Sequence, residues 1–340
     1  MSPSRPIAIM TLVLVCIFSL VAVFGTILLP SFFPMLTFPD TIFDTQSEPT
    51  SHAIPTKPAN LLFVGDIMLA RGVEWRIAKE DVEYPLEDVV DFLSAPDLTI
   101  GNFEGTVREE TNQELDGFTF DTTPAIAEMV YRAGIDAVSL SNNHSDNYGS
   151  DVLKSTRSTL SNIGFTVFGD PYQSAQYVER VTIHGLPISF IGFHAFGEKP
   201  ESILPVIAAE KAAGNFVVVF PHWGNEYETT PSIAQVEAAH AFIDAGADAI
   251  IGAHPHVIQT YENYRGVPII YSLGNFLFDQ DWSVPTQQGL ALGFEIDTKN
   301  ITLTFSPISI VKQRVTIMGI EDAAAVLSEH NLPIVFTIPR

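Results

Sequence analysis

This 340-residue chain has one cysteine and few basic residues. Its single cysteine, Cys16, makes a disulfide within the chain impossible, so thiols do not reveal the redox compartment. Lysine and arginine together number 17 against 40 aspartates and glutamates, which gives a formal net charge of −23. Nucleic-acid binding is not expected, because it needs basic surface that displaces counterions from phosphates. An anionic substrate must instead be captured by local positive charge, such as metal ions and a few arginines.

One long apolar run stands at the N-terminus. Residues 7–29 carry no charge and exceed the roughly 20 residues that a helix needs to cross a bilayer. Bulky residues end the run where a cleavable signal peptide would have small ones, which favours an uncleaved membrane anchor over residues 1–30. Arg5 precedes the run and acidic residues follow it. The positive-inside rule therefore predicts a single-pass protein of the cell membrane, with a cytoplasmic N-terminus and an extracytoplasmic domain.

Residues 31–59 are rich in proline, serine and threonine, a composition that resists helix formation and behaves as an extended spacer. The folded domain is predicted over residues 60–340. With 46% hydrophobic residues in the chain, it can bury a large core.

From residue 60 onward, short apolar runs alternate with helical patterns, which is typical of an α/β fold. Strands are predicted at 61–64, 98–100, 137–140, 188–193 and 249–251. Helices are predicted at 86–93, between a Thr123 cap and Gly134, and between Thr230-Pro231 and Gly246. Polarity alternates at 301–305 and 314–318, which predicts half-buried antiparallel strands at the end of the domain.

Polar clusters of metal-ligand types directly follow five apolar runs. They are Gly65-Asp66, Asn102-Phe103-Glu104, Asn142-Asn143-His144, His222-Trp223-Gly224 and His254-Pro255-His256. In open α/β sheets the carboxyl ends of the strands converge on one crevice, so ligands distant in sequence can meet there. An isolated Gly-Asp is more often a turn or a helix cap, whereas two imidazoles two residues apart can point into one site. Together the clusters predict a metal site that acts on an anionic or carbonyl-containing group.

Other histidines carry a weaker signal. His240 falls on an apolar helical face with Ile233, Val236 and Ile243, which predicts a core histidine whose hydrogen bonds are satisfied. His194 follows the strand predicted at 188–193 and is compatible with either a core or a site role.

Six motifs occur in a characteristic order at 65–71, 102–105, 141–149, 222–226, 252–259 and 271–276. This set resembles that of the CapA-type poly-γ-glutamate capsule synthesis proteins, a family similar in fold to the calcineurin-like metallophosphoesterases. The resemblance covers residues 60–310. It implies a four-layer α/β/β/α sandwich of the metallophosphoesterase type, here preceded by the predicted transmembrane helix.

The resemblance also implies one or two divalent metal ions, with Mn, Zn and Fe as candidates. The implied ligands are Asp66 and His256 for a first ion, Glu104 as a bridge, and Asn143, His222 and His254 for a second. The phosphoesterases carry a histidine two places after their first aspartate, where this chain has Met68. Single-metal and two-metal sites are therefore both compatible with the motifs.

Two further residues receive roles from the resemblance. His144 would lie beside the substrate as a general acid or charge stabiliser. Arg71 would orient an anionic group by bidentate hydrogen bonding. Two cations can clamp a phosphoryl or carboxylate oxygen while they lower the pKa of a bound water to about 7.

Two functions are compatible with these residues. The first is an extracytoplasmic metal-dependent hydrolase or transferase that acts on phosphoester or γ-glutamyl amide bonds. The second is a non-catalytic membrane subunit that helps to polymerise, export or anchor poly-γ-glutamate. In both, poly-γ-glutamate or another anionic polymer or phosphoester is the expected partner, with membrane subunits of a capsule synthase as further partners.

Overall fold

Two β-sheets carry most of the chain in the computed structural model, which describes residues 57–111 and 117–340. These residues belong to one unit that spans 51–340. The predicted anchor and nearly all of the predicted spacer lie outside the described residues. Within the described ranges, no helix is long and apolar enough to cross a membrane.

The elements follow one another in an alternating order along the chain. They are β1 (Ala59–Ile67), α1 (Arg71–Lys79), α2 (Val90–Ser94), β2 (Leu98–Phe103), β3 (Thr106–Val107), β4 (Asp121–Thr122), α3 (Pro124–Arg132), β5 (Ala137–Ser139), α4 (Ser150–Ile163), β6 (Thr166–Phe168), β7 (Glu179–Ile183), β8 (Leu186–His194), α5 (Leu204–Ala212), β9 (Phe216–His222), α6 (Ile233–Ala245), β10 (Ala249–Ile251), β11 (Tyr261–Tyr264), β12 (Val267–Ile270), β13 (Asn275–Leu277), β14 (Gln288–Ile296), β15 (Asn300–Val311), β16 (Arg314–Ile317), α7 (Ile320–Glu329) and β17 (Val335–Pro339).

Both sheets mix parallel and antiparallel pairing. The first has the order β16-β15-β14-β1-β2-β5-β6, with β13 paired to β1 and β17 paired to β15. Its strands β1, β2, β5 and β6 are parallel, whereas β14, β15 and β16 pair antiparallel, as predicted for the end of the domain. The second sheet has the order β11-β12-β10-β9-β8-β7. Its four central strands β12, β10, β9 and β8 are parallel, and the edge strands β11 and β7 pair antiparallel. Parallel neighbours place several strand ends at the same edge of each sheet.

An aromatic-rich core fills the space between the two sheets. Phe63 of β1 lies 6.3 Å from both Phe190 of β8 and Phe220 of β9, measured between ring centroids. The outer face of the first sheet packs against α1 to α4, and the outer face of the second packs against α5 and α6. The layers therefore run helices, sheet, sheet, helices. The predicted α/β class is confirmed.

Local capping chemistry decides where helices begin. Thr123 caps α3 as predicted, since its side chain accepts a hydrogen bond from the Ile126 backbone N–H at 3.4 Å. The start predicted at Thr230-Pro231 was wrong, because Ser232 and Gln235 form a capping box that opens α6 at residue 233.

Two further local predictions were wrong. The helix predicted over 86–93 is confined to 90–94. The residues before it form turns closed by hydrogen bonds between residues three positions apart, such as the one from the Val89 N–H to the Leu86 carbonyl at 3.0 Å. His240 is only half-buried, and Ile233 on its predicted apolar face is 78% exposed. The predicted satisfied hydrogen bonding of His240 is present, since its Nε2 lies 2.8 Å from Glu262 Oε1.

Candidate metal centre

Five strand ends from the two sheets bring the expected metal ligands together. Asp66 lies near the end of β1, Glu104 follows β2, Asn143 lies in the loop after β5, His222 ends β9, and His254 and His256 lie in the loop after β10. The structure thus places residues from both sheets around one buried cluster, in the manner that parallel strand ends allow.

One group of potential ligands consists of Asp66, Glu104 and His256. One ligand atom from each lies within 4.8 Å of the others, and all three residues are buried. His256 Nδ1 lies 3.2 Å from Asp66 Oδ2 and 3.0 Å from Asn275 Oδ1, and its Nε2 lies 3.8 Å from Glu104 Oε1. These three residues are the ones expected around the first ion.

A second group of potential ligands combines His254 and His256 with Glu226. The sequence motifs suggested no role for Glu226, although its carboxylate belongs to the same motif as His222. His254 and His256 have φ angles of 99° and 59°, a backbone conformation that residues other than glycine rarely adopt. The loop is held there in part because the His254 N–H donates to Asp66 Oδ2 at 3.2 Å. Such strain is typical of functional sites.

The ligands expected around a second ion contact one another. His222 Nε2 lies 2.8 Å from Asn143 Oδ1, and the His222 ring centroid lies 4.5 Å from that of His254. Among the residues that the structure describes, two buried atoms of the cluster have no hydrogen-bond partner, Glu104 Oε1 and His254 Nδ1. A buried lone pair without a donor is costly unless a cation binds it. Carboxylate oxygens and imidazole nitrogens are suitable ligands for a divalent transition metal, so the residues fit such an ion.

Asn102 connects the ligands, a role that the sequence did not reveal. Its Nδ2 lies 2.8 Å from Asp66 Oδ1, 3.3 Å from Glu104 Oε2 and 3.2 Å from His222 Nδ1. Its Oδ1 accepts a hydrogen bond from Asn142 Nδ2 at 3.0 Å. Groups of this kind orient metal ligands and are required for high affinity.

Burial and mutual charge set the protonation of the cluster. Burial raises the pKa of Glu104 above its usual range, and the charges of Asp66 and Glu226 act in the same direction. Burial by itself lowers the pKa of His256, but Glu104 and Asp66 outweigh it and raise that pKa to about 9. The cluster without a cation therefore retains a proton on His256 at neutral pH.

The two other histidines of the cluster behave in the opposite way. Burial lowers the pKa of His222 and of His254 well below the usual range, and the neighbouring imidazoles lower both further. They are therefore neutral at pH 7, which is the form that binds a metal.

His144 lies beside the carboxylates. Its Nε2 is 3.8 Å from Glu104 Oε1, its Nδ1 is 3.0 Å from Asn147 Oδ1, and its ring stacks on Phe120 at 3.9 Å between centroids. Burial lowers the pKa of His144 to about 4, so the side chain is neutral at pH 7.

Arg71, expected to orient an anion, is already engaged. Its guanidinium lies 2.5 Å from Asp279 Oδ1, donates to the Gly117 carbonyl at 3.3 Å, and covers the Phe120 ring at 4.6 Å. The sequence motifs suggested no role for Asp279. Its carboxylate offsets the charge of Arg71, so an anion that binds Arg71 competes with this ion pair, although the buried Arg71 Nε has no partner among the described residues.

Met68 and His194 complete the surroundings. Met68 belongs to the apolar cluster under the helices, and its Sδ accepts a hydrogen bond from the Ala70 N–H at 3.0 Å. His194 ends β8 with its ring centroid 5.9 Å from that of His222, and its buried Nε2 has no partner among the described residues. His194 thus lies next to His222 in the histidine cluster, which agrees with the site role that its position at a strand end left open.

Fold and site together define a mixed α/β protein with a candidate divalent-metal centre. The family model described as "Bacterial capsule synthesis protein PGA_cap" matches residues 60–280. The chain belongs to this family of bacterial capsule synthesis proteins. The family predicted from the six ordered motifs is therefore confirmed.

Two curated relatives share much of the chain. The PGA biosynthesis protein CapA of Bacillus subtilis (strain 168) is 32% identical over 241 residues, which cover 65% of this chain and 63% of the relative. The Capsule biosynthesis protein CapA of Bacillus anthracis is 29% identical over 275 residues, 74% of this chain and 67% of the relative. Among solved structures, TT1561 of Thermus thermophilus aligns with 69% of this chain and 94% of its own at 9% identity. Its TM-score of 0.41 is too low to support an inference.

Proposed function

We propose that the chain is a membrane-anchored, extracytoplasmic protein of poly-γ-glutamate capsule synthesis. In this proposal its site is a metal-dependent hydrolase or transferase centre of the metallophosphoesterase type, acting on phosphoester or γ-glutamyl bonds. The names of the two Bacillus relatives support the biological process. The observation that carries the chemistry is the buried group of Asp66, Glu104 and His256, whose ligand atoms lie within 4.8 Å of one another.

The described residues divide into ligands and supporting groups. Asp66, Glu104 and His256, with His254, His222 and Asn143 on the adjoining side, would hold one or two divalent ions. Such an ion, when bound, polarises a phosphoryl or carbonyl oxygen and acidifies a water. Asn102 keeps the carboxylates and His222 in place through its three contacts.

The hydrogen bonds of His144 favour one proton-transfer role. Asn147 Oδ1 accepts from the Phe120 N–H at 2.8 Å, so the same oxygen also accepts from His144 Nδ1–H. The Nε2 atom, on the side of Glu104, is then the basic nitrogen. Burial lowers the pKa of His144 to about 4, so at pH 7 the ring carries no proton on Nε2 to donate as a general acid, and this nitrogen is left as a hydrogen-bond acceptor and a weak base.

A second candidate function is a non-catalytic subunit for polymer synthesis, export or anchoring. Met68 favours it, because this side chain is packed in the apolar cluster at the position where a phosphoesterase ligand would stand. The centre then has fewer ligands than that of a phosphoesterase, and a bound ion would bind the carboxylates of the polymer or stabilise the loops that carry the ligands.

The test is a metal count on the purified full-length chain, followed by hydrolysis assays with bis(p-nitrophenyl) phosphate and with poly-γ-glutamate. We expect bound metal and metal-dependent turnover in the parent, and loss of both in His254→Ala. His240→Ala is the matched control, because His240 is partly exposed and pairs with Glu262 away from the cluster. Bound metal without turnover of either substrate would support the second function, and absence of bound metal would refute the proposed centre.

A further inference from the structure

A pocket of about 260 Å³ opens beside the candidate metal centre, between the loop after β8 and the start of α6. Its floor contains the buried side chains of Phe193, Trp223 and Ala238. Its rim contains Phe196, which is 58% exposed, and the exposed Ala234. We call it the Phe196 pocket. The volume is sufficient for one aromatic ring or a short alkyl group.

Phe196 connects this pocket to the metal centre. Its ring centroid lies 4.8 Å from that of His254 and 5.6 Å from that of His194. In the floor of the pocket, Trp223 directly follows His222 in the chain. Phe196 therefore contacts His254 of the metal centre and lines the pocket, so the two sites adjoin each other.

The lining of the pocket is uncharged. None of the described residues that line it carries a formal charge. Its buried polar groups already have partners, since Gln235 Nε2 donates to Gln259 Oε1 and Trp223 Nε1 donates to the Tyr271 carbonyl, both at 2.8 Å. A carboxylate placed on this floor would lose its hydration without gaining a partner, whereas an apolar group would lose nothing.

We propose that the Phe196 pocket is a substrate subsite for an uncharged apolar group, aryl or alkyl, next to the bond on which the metal centre acts. The proposal rests on the proposed function, because the centre must hold the anionic head of the same molecule. It narrows the substrate class to an anionic or carbonyl head group that carries an apolar substituent. Of the two bond types in the proposed function, the pocket therefore favours a phosphoester with an apolar substituent over a γ-glutamyl bond whose flanking residue places a carboxylate at this position.

Phosphonates of graded apolar size provide the test. We would titrate methylphosphonate, phenylphosphonate and benzylphosphonate into the full-length chain saturated with Mn²⁺ and measure each dissociation constant by calorimetry. The phosphonate group binds at the centre in all three, so differences report the substituent. Burial of a phenyl-sized group should tighten binding of at least one aryl compound by about tenfold or more relative to methylphosphonate.

Variants at the rim separate the pocket from the centre. Ala234→Phe should remove most of the aryl preference and leave methylphosphonate binding unchanged. Phe196→Ala should weaken aryl binding more than methylphosphonate binding, while Phe196→Leu should retain much of the aryl preference. Both positions are exposed, so neither substitution disturbs the packing of the core. Ile320→Ala is the control, because Ile320 is a 90% exposed apolar side chain on α7.

Equal affinity for the methyl and both aryl compounds, or an aryl preference that survives both rim variants, would overturn the subsite. Failure of every phosphonate to bind in the presence of Mn²⁺ would instead refute the proposed function. In that case benzyl alcohol, which needs no metal, still tests the pocket by saturation-transfer NMR. A signal lost in Phe196→Ala would support an apolar site, and absence of a signal in the parent would overturn it.

Discussion

Replacement of Glu104 with glutamine should remove metal binding without harming the metal-free protein. Glu104 is 1% exposed, and its Oε1 has no hydrogen-bond partner among the described residues. Because burial raises the pKa of Glu104 in the folded state, its ionised form destabilises that state. This cost is absent below the unfolded-state pKa and grows as the pH rises towards the folded-state pKa. At pH 7, glutamine therefore removes a cost while it also removes an anionic ligand.

The magnitude follows from linkage. A metal present at 100 times its dissociation constant stabilises the parent by about 2.7 kcal/mol. Changes in groups that merely orient metal ligands weaken binding by roughly 10- to 100-fold, so loss of a ligand should reach at least the upper figure. At the same metal concentration, a variant that binds about 100-fold more weakly gains only about 0.4 kcal/mol. The metal-dependent gain should thus fall by about 2.3 kcal/mol, which corresponds to several degrees in Tm.

The assay is denaturant unfolding with EDTA and with Mn²⁺ for the parent, Glu104→Gln and Glu210→Gln. Glu210 is also a buried carboxylate, but Arg180, Ser189 and Asn215 all donate hydrogen bonds to it. Its replacement should lower the unfolding free energy by about 1–3 kcal/mol in both conditions and preserve the metal-dependent gain. A metal-dependent gain in Glu104→Gln equal to that of the parent would show that Glu104 is not a ligand, and destabilisation of the EDTA-treated variant as large as that of Glu210→Gln would show that its ionised form carries no cost.

Four further outcomes are expected. Asn102→Ala should weaken metal binding by roughly 10- to 100-fold in calorimetric titration, and unchanged affinity would show that Asn102 does not position the ligands. His144→Ala should retain metal but lose about 10²- to 10⁴-fold in turnover of a model phosphodiester, whereas loss of metal would make His144 a ligand. Since the pKa of His256 is raised to about 9, metal must displace its proton at neutral pH. Burial also raises the pKa of Glu104, whose proton a metal must displace as well. The apparent affinity should therefore rise by at least about tenfold per pH unit around neutral pH, and a flat profile would contradict a protonated metal-free cluster. Mass spectrometry of the mature protein should find residues 7–29 retained, while a chain that starts between about residues 30 and 58 would refute the anchor.

Much of the centre was predictable because its ligands occupy a position that local patterns mark. Apolar runs end where strands end, so Asp66 and His222 could be placed at the carboxyl ends of strands from the sequence alone. The roles of Asn102 and Asp279 were not predictable in this way. The contact between Arg71 and Asp279 joins residues 208 positions apart, and no local pattern reports such a distance.

The same division applies to the fold. Thr123, Pro124 and Gly134 mark the limits of α3 by interactions within a few residues, and the predicted helix agrees with the structure. The start of α6 was missed because two adjacent segments both carry start signals. The reciprocal bonds of Ser232 and Gln235 decided between them.

The sequence by itself determined the family, the α/β class and the strand ends that carry the ligands, because these follow from motif order and from the periodicity of neighbouring residues. Tertiary structure alone decided which side chains meet. It enclosed Glu104 among carboxylates and imidazoles, paired Arg71 with Asp279, and placed Phe196 against His254. Protonation, ion pairing and pocket shape depend on distances across the two sheets, and only the folded chain sets those distances.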